Sequence, residues 1–289
     1  MDGQRSMDVR PAGVAGSFYP SEPAAIERTV EGFLSESPSG SGPPPRALVV
    51  PHAGYPYSGA VAGAGFGTLG PAGCGTVVLV GPSHLESFGG VSVFPGRAYR
   101  TPLGEVPVDI GLAGALVRHG EGAVHSSLNG HWMSGSPRQE HALEVELPFL
   151  QVLCEEPPSL VPLVMGEQSW ETVTALAEAL ARAVEEEGDT ERVLLAASSD
   201  LSHFHPGSRA EEKDRRTLDL IEAFDPRAFH RALGAGEAEA CGGGAIASVM
   251  LAAARLGAGG ARTLAYTHSG HVTGDLEGVV GYAAIRMDG

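Results

Sequence analysis

Three short apolar runs of the sequence are each followed, within a few residues, by side chains that can bind a metal or transfer protons. They are His52 after Leu48–Val50, His84 after Thr76–Gly81, and Asp200 and His203 after Arg192–Ala197. In open α/β sheets, ligands bind in the crevice outside the carboxyl ends of the strands. Imidazole is the commonest metal ligand, and near neutral pH it is also the commonest general acid or base. The spacing therefore predicts a metal-binding or active site at the edge where these strands end.

Asp200 and His203 are expected to serve the chemistry rather than to bind the metal. They lie three residues apart on a Ser-rich turn, so the Asp200 carboxylate can accept a ring N–H of His203 and fix its tautomer. Under this hypothesis His203 transfers protons and Asp200 orients it. The alternative is that the pair only braces the turn, just as His52 and His84 could only cap their strands through hydrogen bonds.

Cys241 is the remaining candidate ligand, because three glycines and then an Ala-rich helical pattern follow it. A helix start favours a thiolate, and the glycines let another group approach the backbone closely. A thiolate suits a metal that accepts sulfur, such as iron, copper or zinc. The pattern predicts that Cys241 is the most reactive of the three cysteines, whereas the alternative is a small buried core residue. The widely spaced cysteines indicate neither a zinc ribbon nor a disulfide framework.

Three further residues are expected to contact a substrate. His141 and Glu144 belong to a polar cluster that begins with Glu140 at the start of a helical pattern. Tyr55 follows His52 and is expected, with Tyr57, at the rim of the cleft. Acidic residues at a helix start also favour the helix dipole, so capping is the alternative to a catalytic role for Glu140 and Glu144.

Composition indicates an acidic α/β protein with an ordinary core. The formal net charge of −16 argues against a nucleic-acid partner, because phosphate binding requires clusters of Lys and Arg. No apolar run is long enough to span a bilayer and the N-terminus lacks the features of a signal peptide, so we expect no membrane partner and a cytoplasmic location. Strand and helix patterns alternate without a long linker, which predicts a single domain at residues 9–289 after a disordered extension at residues 1–8.

Several short motifs, in order from about Arg10 to Met287, resemble those of the Memo family, which in prokaryotes is also named protein B of the AmmeMemoRadiSam system. They are PAGVAGSFYP at 11–20, VVPHAGYPYSG at 49–59, LVGPSHL at 79–85, TPLGEVPVD at 101–109, EHALEVELPFL at 140–150, SSDLSH at 198–203, the Cys241 segment and VVGYAAI at 279–285. The resemblance implies a fold like that of the class III extradiol dioxygenases, with a central mixed β-sheet flanked by helices. It also implies a cleft lined by His52, His84, Asp200, His203 and Cys241.

The resemblance further implies one metal ion held by His52, His84 and Cys241, with Fe(II) expected first and copper or zinc as alternatives. In class III extradiol dioxygenases the third ligand is a glutamate, and a thiolate in its place changes the charge and redox behaviour of the metal. We therefore expect a metal-dependent redox protein acting on a small molecule or peptide. The alternatives are an extradiol-type dioxygenase or metal hydrolase, and a non-catalytic module that binds a peptide or a partner protein of the AmmeMemoRadiSam system in the same cleft.

Overall fold

The structure, a computed structural model, describes residues 7–36, 43–70, 73, 75–187 and 190–289. Residues 1–6 of the predicted disordered extension, and also Cys74, lie outside the described residues. Asp8, the last residue of that predicted extension, is held in place because Arg97 Nε donates to its carboxylate over 2.8 Å. Asp8 therefore contacts the predicted domain, whose predicted first residue is 9.

Strands and helices alternate along most of the described chain. The strands are β1 Val9–Arg10, β2 Ala47–Val50, β3 Thr76–Pro82, β4 Val91–Val93, β5 Ala98–Thr101, β6 Gly104–Pro107, β7 Val124–Ser126, β8 Ser159–Met165, β9 Val193–Ser198, β10 His203–His205, β11 Gly260–His268 and β12 Val279–Asp288. The α-helices are α1 Pro23–Ser35, α2 Tyr55–Phe66, α3 Ile110–His119, α4 Leu147–Leu153, α5 Trp170–Glu187, α6 Gly207–Glu222, α7 Pro226–Gly234, α8 Gly243–Arg255 and α9 Gly270–Thr273. Short 3-10 turns cover Gly67–Leu69 and Glu144–Glu146.

One large mixed sheet forms the centre of the fold. Its strands follow the order β10-β12-β2-β9-β3-β8-β4-β7, and β11 pairs with β12 as well. Strands β2, β9, β3 and β8 run parallel to one another, whereas β12 is antiparallel to β2 and β4 is antiparallel to β8. A smaller sheet contains β1, β5 and β6. The predicted α/β class with a central mixed sheet is confirmed.

Apolar side chains on both faces of the central strands explain why helices flank this sheet. All four residues of β2 are fully buried, which is typical of parallel strands covered on both faces. Helix α2 packs on β2, β11 and β12 and also contacts α1 and α4. Helix α8 packs on β2, β3 and β9 and contacts α5 and α7. Among the helices that the structure describes, none combines the length and apolar character needed to cross a membrane.

The carboxyl ends of β2, β9 and β3 lie side by side at one edge of the sheet. Strand β9 is the direct neighbour of both β2 and β3, and all three run in the same direction. The turn that carries Asp200 therefore lies between the turns that carry His52 and His84. The parallel pairing brings the three predicted turns together at this edge.

Candidate metal centre

His52 lies just after β2, at the edge where the three parallel strands end, and is almost fully buried, with 1% of its surface exposed. Its backbone N–H donates to Asp200 Oδ1 over 2.9 Å, which ties the turn after β2 to the turn after β9. Its ring Nδ1 lies 2.8 Å from Ser198 Oγ, at the end of β9. Burial, with the nearby charge of His84 adding to it, lowers the pKa of His52 to about 3. The ring is therefore neutral at physiological pH.

The hydrogen bonds of Ser198 determine which nitrogen of His52 carries the proton. Ser198 Oγ lies 2.6 Å from the Ala142 carbonyl oxygen, which can only accept, so the single hydroxyl proton must point there. Ser198 then accepts from its other neighbours, and His52 Nδ1 must be the protonated nitrogen. The lone pair of His52 is consequently on Nε2, the nitrogen that lies 3.2 Å from Cys241 Sγ.

The same reasoning assigns a proton to Glu146. Its Oε1 lies 3.0 Å from Ser198 Oγ, whose only proton is already directed at Ala142, so a hydrogen bond requires that Glu146 be the donor. Glu146 is fully buried, and burial raises its pKa well above the usual range of a carboxyl group. Glu146 is thus a neutral carboxylic acid behind the ring of His52.

His84 approaches the cleft from the turn after β3 and is oriented by Glu140. The ring Nδ1 of His84 lies 2.9 Å from Glu140 Oε1, and the backbone N–H of His84 donates to Oε2 over 2.6 Å. Burial acts to lower the pKa of His84, but the hydrogen bond and charge of Glu140 outweigh it and raise that pKa. A carboxylate that accepts one ring N–H of histidine while the other nitrogen binds a metal is a common arrangement in metal sites.

His141 completes a group of three imidazoles. Its ring stacks on that of His84 with the centroids 4.7 Å apart, and it lies edge-on to His52 at 5.3 Å. One ring nitrogen from each of His52, His84 and His141 lies within 4.8 Å of the others, which is close enough to hold a metal ion after small side-chain movements. Burial, together with His52, lowers the pKa of His141 to about 3. A residue expected to contact substrate therefore lies among the candidate ligands.

Cys241 contacts this group through His52. Its Sγ lies 3.2 Å from His52 Nε2 and accepts the backbone N–H of Asp200, also over 3.2 Å. Because His52 Nε2 carries a lone pair, it can accept the thiol proton, and the Asp200 carbonyl oxygen, 3.6 Å from Sγ, is a second acceptor. Burial, reinforced by the charge of Asp200, raises the pKa of the Cys241 thiol to about 12.

The helix start that the sequence indicates does not lower the thiol pKa of Cys241, and its reactivity relative to Cys74 and Cys154 stays a prediction. Helix α8 begins only at Gly243, and Cys241 lies two residues before it, outside the first helical turn. The stabilisation of a thiolate by a helix start falls off within about one turn, so burial dominates the thiol pKa.

Asp200 and His203 both lie at the predicted edge, but the expected hydrogen bond between them is absent from the described contacts. The ring Nδ1 of His203 donates instead to the Leu201 carbonyl over 2.9 Å, and the Asp200 carboxylate accepts the His52 N–H. The physical reason is that Asp200 Oδ1 supports the turn after β2, while His203 begins β10. A backbone carbonyl thus fixes the tautomer of His203, and Nε2 is left able to accept a proton.

Glu144 and Tyr55 do not occupy the positions expected of substrate contacts. Glu144 is fully buried, pairs with Arg10 Nη1 over 2.6 Å and accepts the Tyr19 hydroxyl and the backbone N–H groups of residues 13 and 14. Glu144 therefore links residues 10–19 to the 3-10 turn before α4 through an ion pair and hydrogen bonds. Tyr55 is 3% exposed and donates its hydroxyl to the Val145 carbonyl over 2.9 Å, so its expected place at an open rim is wrong, whereas Tyr57 is 41% exposed.

Two residues that orient the candidate ligands were not assigned that role from the sequence. Glu140 was interpreted as a possible helix cap, although its position immediately before His141 was a signal that it could contact an imidazole. Ser198 belongs to the SSDLSH motif, but nothing in the spacing indicates that its side chain faces His52 rather than the opposite face of β9. Both roles arise from contacts between segments more than fifty residues apart.

The fold defines an α/β protein in which the turns after parallel strands place imidazole groups at one edge of the sheet, where the thiol of Cys241, just before α8, contacts His52. The family model described as Memo-like protein matches residues 10–286. A MEMO1 family protein of Methanothermobacter thermautotrophicus is 37% identical over 284 residues, covering 95% of this chain and 99% of the relative. MEMO1 family proteins of Methanopyrus kandleri and Methanosarcina mazei are 36% and 37% identical, each over 286 residues, covering 96% and 98% of this chain and 98% and 100% of the relatives. The chain belongs to the Memo family, as its motifs predicted.

Proposed function

We propose that the cleft binds one transition metal ion through His52, His84 and Cys241 and supports metal-dependent redox chemistry on a small molecule or peptide. The observation that carries the proposal is the position of His52. Its Nε2 lies 3.2 Å from Cys241 Sγ, and one of its ring nitrogens lies within 4.8 Å of a nitrogen of His84. Cys241 is not part of the group of ligand atoms that lie within 4.8 Å of one another, so the proposed set requires a side-chain movement that brings Sγ and His84 together. Two neutral nitrogens and one sulfur suit iron(II), copper or zinc, and the family resemblance favours iron.

The residues around this donor set support the proposal. Ser198 holds His52 with its lone pair directed at the cleft, and Glu140 holds His84 through Nδ1 so that Nε2 is free. His203 Nε2 is available to accept a proton, because Nδ1 donates to a backbone carbonyl. A bound iron or copper ion would supply electron exchange with the substrate, while His203 moves protons at its edge of the cleft.

A second candidate function is zinc-dependent hydrolysis. Three histidines with one open position are a common donor set of catalytic zinc. His52, His84 and His141 are the three imidazoles whose nitrogens lie within 4.8 Å of one another. In that arrangement Cys241 would remain a protonated neighbour of His52 rather than a ligand.

Metal occupancy of matched variants tests the proposal and separates it from the second candidate. Wild-type protein purified without oxygen and dialysed against Fe(II), Cu or Zn should hold about one ion at this site per chain, as expected for three ligands with an open position. Replacement of His52, His84 or Cys241 by alanine should strongly lower the occupancy of that ion, and His141→Ala should retain it. His125→Ala and Cys154→Ala are the histidine and thiol controls.

Two results would contradict the redox proposal. If Cys241→Ala kept wild-type occupancy while His141→Ala lost it, the three-imidazole site would be favoured. If protein with intact fold bound none of these metals, the cleft would be a binding module for a peptide or partner protein. A thiolate-to-metal absorption band that disappears in Cys241→Ala would independently support the sulfur ligand.

A further inference from the structure

We propose that Glu211, His268 and His271 form a second metal site, which binds a divalent first-row transition ion such as Zn²⁺. The group is distinct from the candidate metal centre and shares no residue with it. One ligand atom from each of the three side chains lies within 4.8 Å of the other two. Imidazole and carboxylate together are a common ligand set for zinc.

Three elements bring these side chains together. His268 is the last residue of β11, and His271 lies in the single helical turn α9 that follows. The two imidazole rings stack with centroids 3.8 Å apart and planes inclined by 16°. Glu211 reaches them from α6, which packs against β11. The pair of histidines therefore comes from one turn, and the carboxylate comes from a separate helix.

Only small side-chain movements are needed for the three residues to bind an ion. His268 Nε2 and Glu211 Oε1 are 3.4 Å apart. Bonds of about 2.0–2.1 Å to a tetrahedral zinc ion place two ligand atoms roughly 3.3 Å apart, so this pair already has the required separation. His271 is exposed and can rotate out of the stack to bring its nitrogen closer. Of the three side chains, His271 would therefore move the most, and it is an exposed residue.

The two ring nitrogens of His268 have different surroundings. The residue is 1% exposed, and its Nδ1 is buried without a hydrogen-bond partner among the described residues. Its Nε2 faces Glu211 Oε1 over 3.4 Å. Nε2 is therefore the nitrogen placed to bind an ion, and the proton of the neutral ring is then on Nδ1.

Thr267 gives His271 the outer hydrogen bond that metal-binding histidines usually make. Its Oγ1 lies 2.9 Å from His271 Nδ1. When Nδ1 donates to this hydroxyl, the lone pair of His271 is on Nε2, which is then free to bind an ion. Removal of such an outer partner typically weakens metal binding roughly 10- to 100-fold.

The surroundings favour a cation and separate this group from the candidate metal centre. A cavity of about 470 Å³ beside His271 is lined by the acidic residues Glu211, Asp219 and Glu222 and by a single arginine. Strand β12 lies between the two groups. His268 pairs with Gly281 on one side of β12, whereas the backbone of residues 201 and 202 hydrogen-bonds Gly281 on the other side. An ion at the second site would join α6 to the turn after β11.

Equilibrium dialysis of the full chain against Zn²⁺ alone tests the proposal. We expect two bound ions per chain in the wild type, and one in His271→Ala and in Glu211→Gln, both of which alter exposed side chains. Glu212→Gln on the same helix is the matched control and should keep two ions. Thr267→Val should weaken the second ion roughly 10- to 100-fold. Zn²⁺ should also raise the melting temperature of the wild type more than that of His271→Ala.

His52→Ala distinguishes failure of this proposal from failure of the redox proposal. If the wild type binds one ion that His52→Ala removes and His271→Ala retains, the second site is refuted and the candidate metal centre stands. If the single ion is instead lost in His271→Ala and kept in His52→Ala, the second site stands alone. Equal occupancy of the wild type, His271→Ala and Glu211→Gln would also overturn the proposal.

Discussion

Replacing Cys241 by alanine should remove most of the proton release that accompanies metal binding in the cleft. The thiol has a pKa of about 12, so about one molecule in 10⁵ carries a thiolate at pH 7. Forming the thiolate at that pH costs about 7 kcal/mol, which a bound metal must offset. Each ion that binds to the sulfur therefore displaces close to one proton from Cys241.

The sign of the pH dependence follows from the protonated state of the free thiol. The thiolate is the form that binds metal, so a rise in pH below the thiol pKa strengthens binding by about tenfold per pH unit. His52 contributes nothing near neutral pH, because its pKa of about 3 leaves the ring neutral. His84 has a raised pKa and adds a fraction of a proton that decreases as the pH rises. In Cys241→Ala only this His84 fraction should remain.

Calorimetric titration with Zn²⁺ in buffers of different ionisation enthalpy measures the number of protons released. The titrations are best done at pH 7, 8 and 9 in a His271→Ala background, so that ions bound at the proposed second site (Glu211, His268 and His271) do not contribute. The wild-type cleft should release about one proton more per ion than Cys241→Ala at every pH. Equal proton release in the two proteins would refute the reasoning, because the thiol would then stay protonated beside the bound ion.

The contacts in the structure predict the outcomes of three other substitutions. Ser198→Ala removes the acceptor of His52 Nδ1–H and should weaken metal binding roughly 10- to 100-fold, measured by competition with a chelator. Glu144→Ala leaves the buried Arg10 guanidinium without its carboxylate and should lower the free energy of unfolding by about 3–5 kcal/mol in urea denaturation. His203→Ala should keep the metal and the fold but reduce any turnover by about 10²- to 10⁴-fold; loss of the ion in this variant would instead make His203 a ligand.

Local sequence patterns were sufficient for the strands and turns that build the cleft. The run before His52 is short, apolar and ended by Pro51, and it forms the fully buried strand β2. The equivalent runs before His84 and Asp200 form β3 and β9. Because these strands are parallel neighbours, residues that follow them meet at one edge whatever the details of the packing. This is why the positions of the two histidines could be predicted without the structure.

Side-chain ionisation and pairing could not be predicted in the same way. The sequence around Cys241 indicates a helix start, but the thiol pKa depends on how deeply the sulfur is buried against Asp200 and His52. Glu144 lies in a motif beside His141, yet its carboxylate faces Arg10, which is 134 residues away in sequence. Such contacts depend on the register of distant segments, and a local pattern carries no information about them.

Glu140 and Glu146 illustrate how the fold, rather than the residue type, determines charge in the cleft. Both are buried, and burial alone would raise the pKa of each carboxyl. Glu140 accepts N–H groups from the ring and backbone of His84 and from the backbone of residues 141 and 142, and these hydrogen bonds and charges hold its pKa at about 2. Among the described residues, the hydrogen bond of the Glu146 side chain is to the hydroxyl of Ser198, whose proton is directed at Ala142, and Glu146 remains neutral.

The consequence is that the negative charge of Glu140 stands directly behind His84, while a neutral acid stands behind His52. In the metal-free protein Glu140 favours a proton on His84, which raises the pKa of that ring. In the proposed metal site, His84 would bind the ion through Nε2 in place of that proton, with the same carboxylate behind it, whereas His52 would offer its lone pair without first losing a proton. The two imidazoles would then contribute to the site in different ways: His52 through its tautomer and His84 through the charge of Glu140.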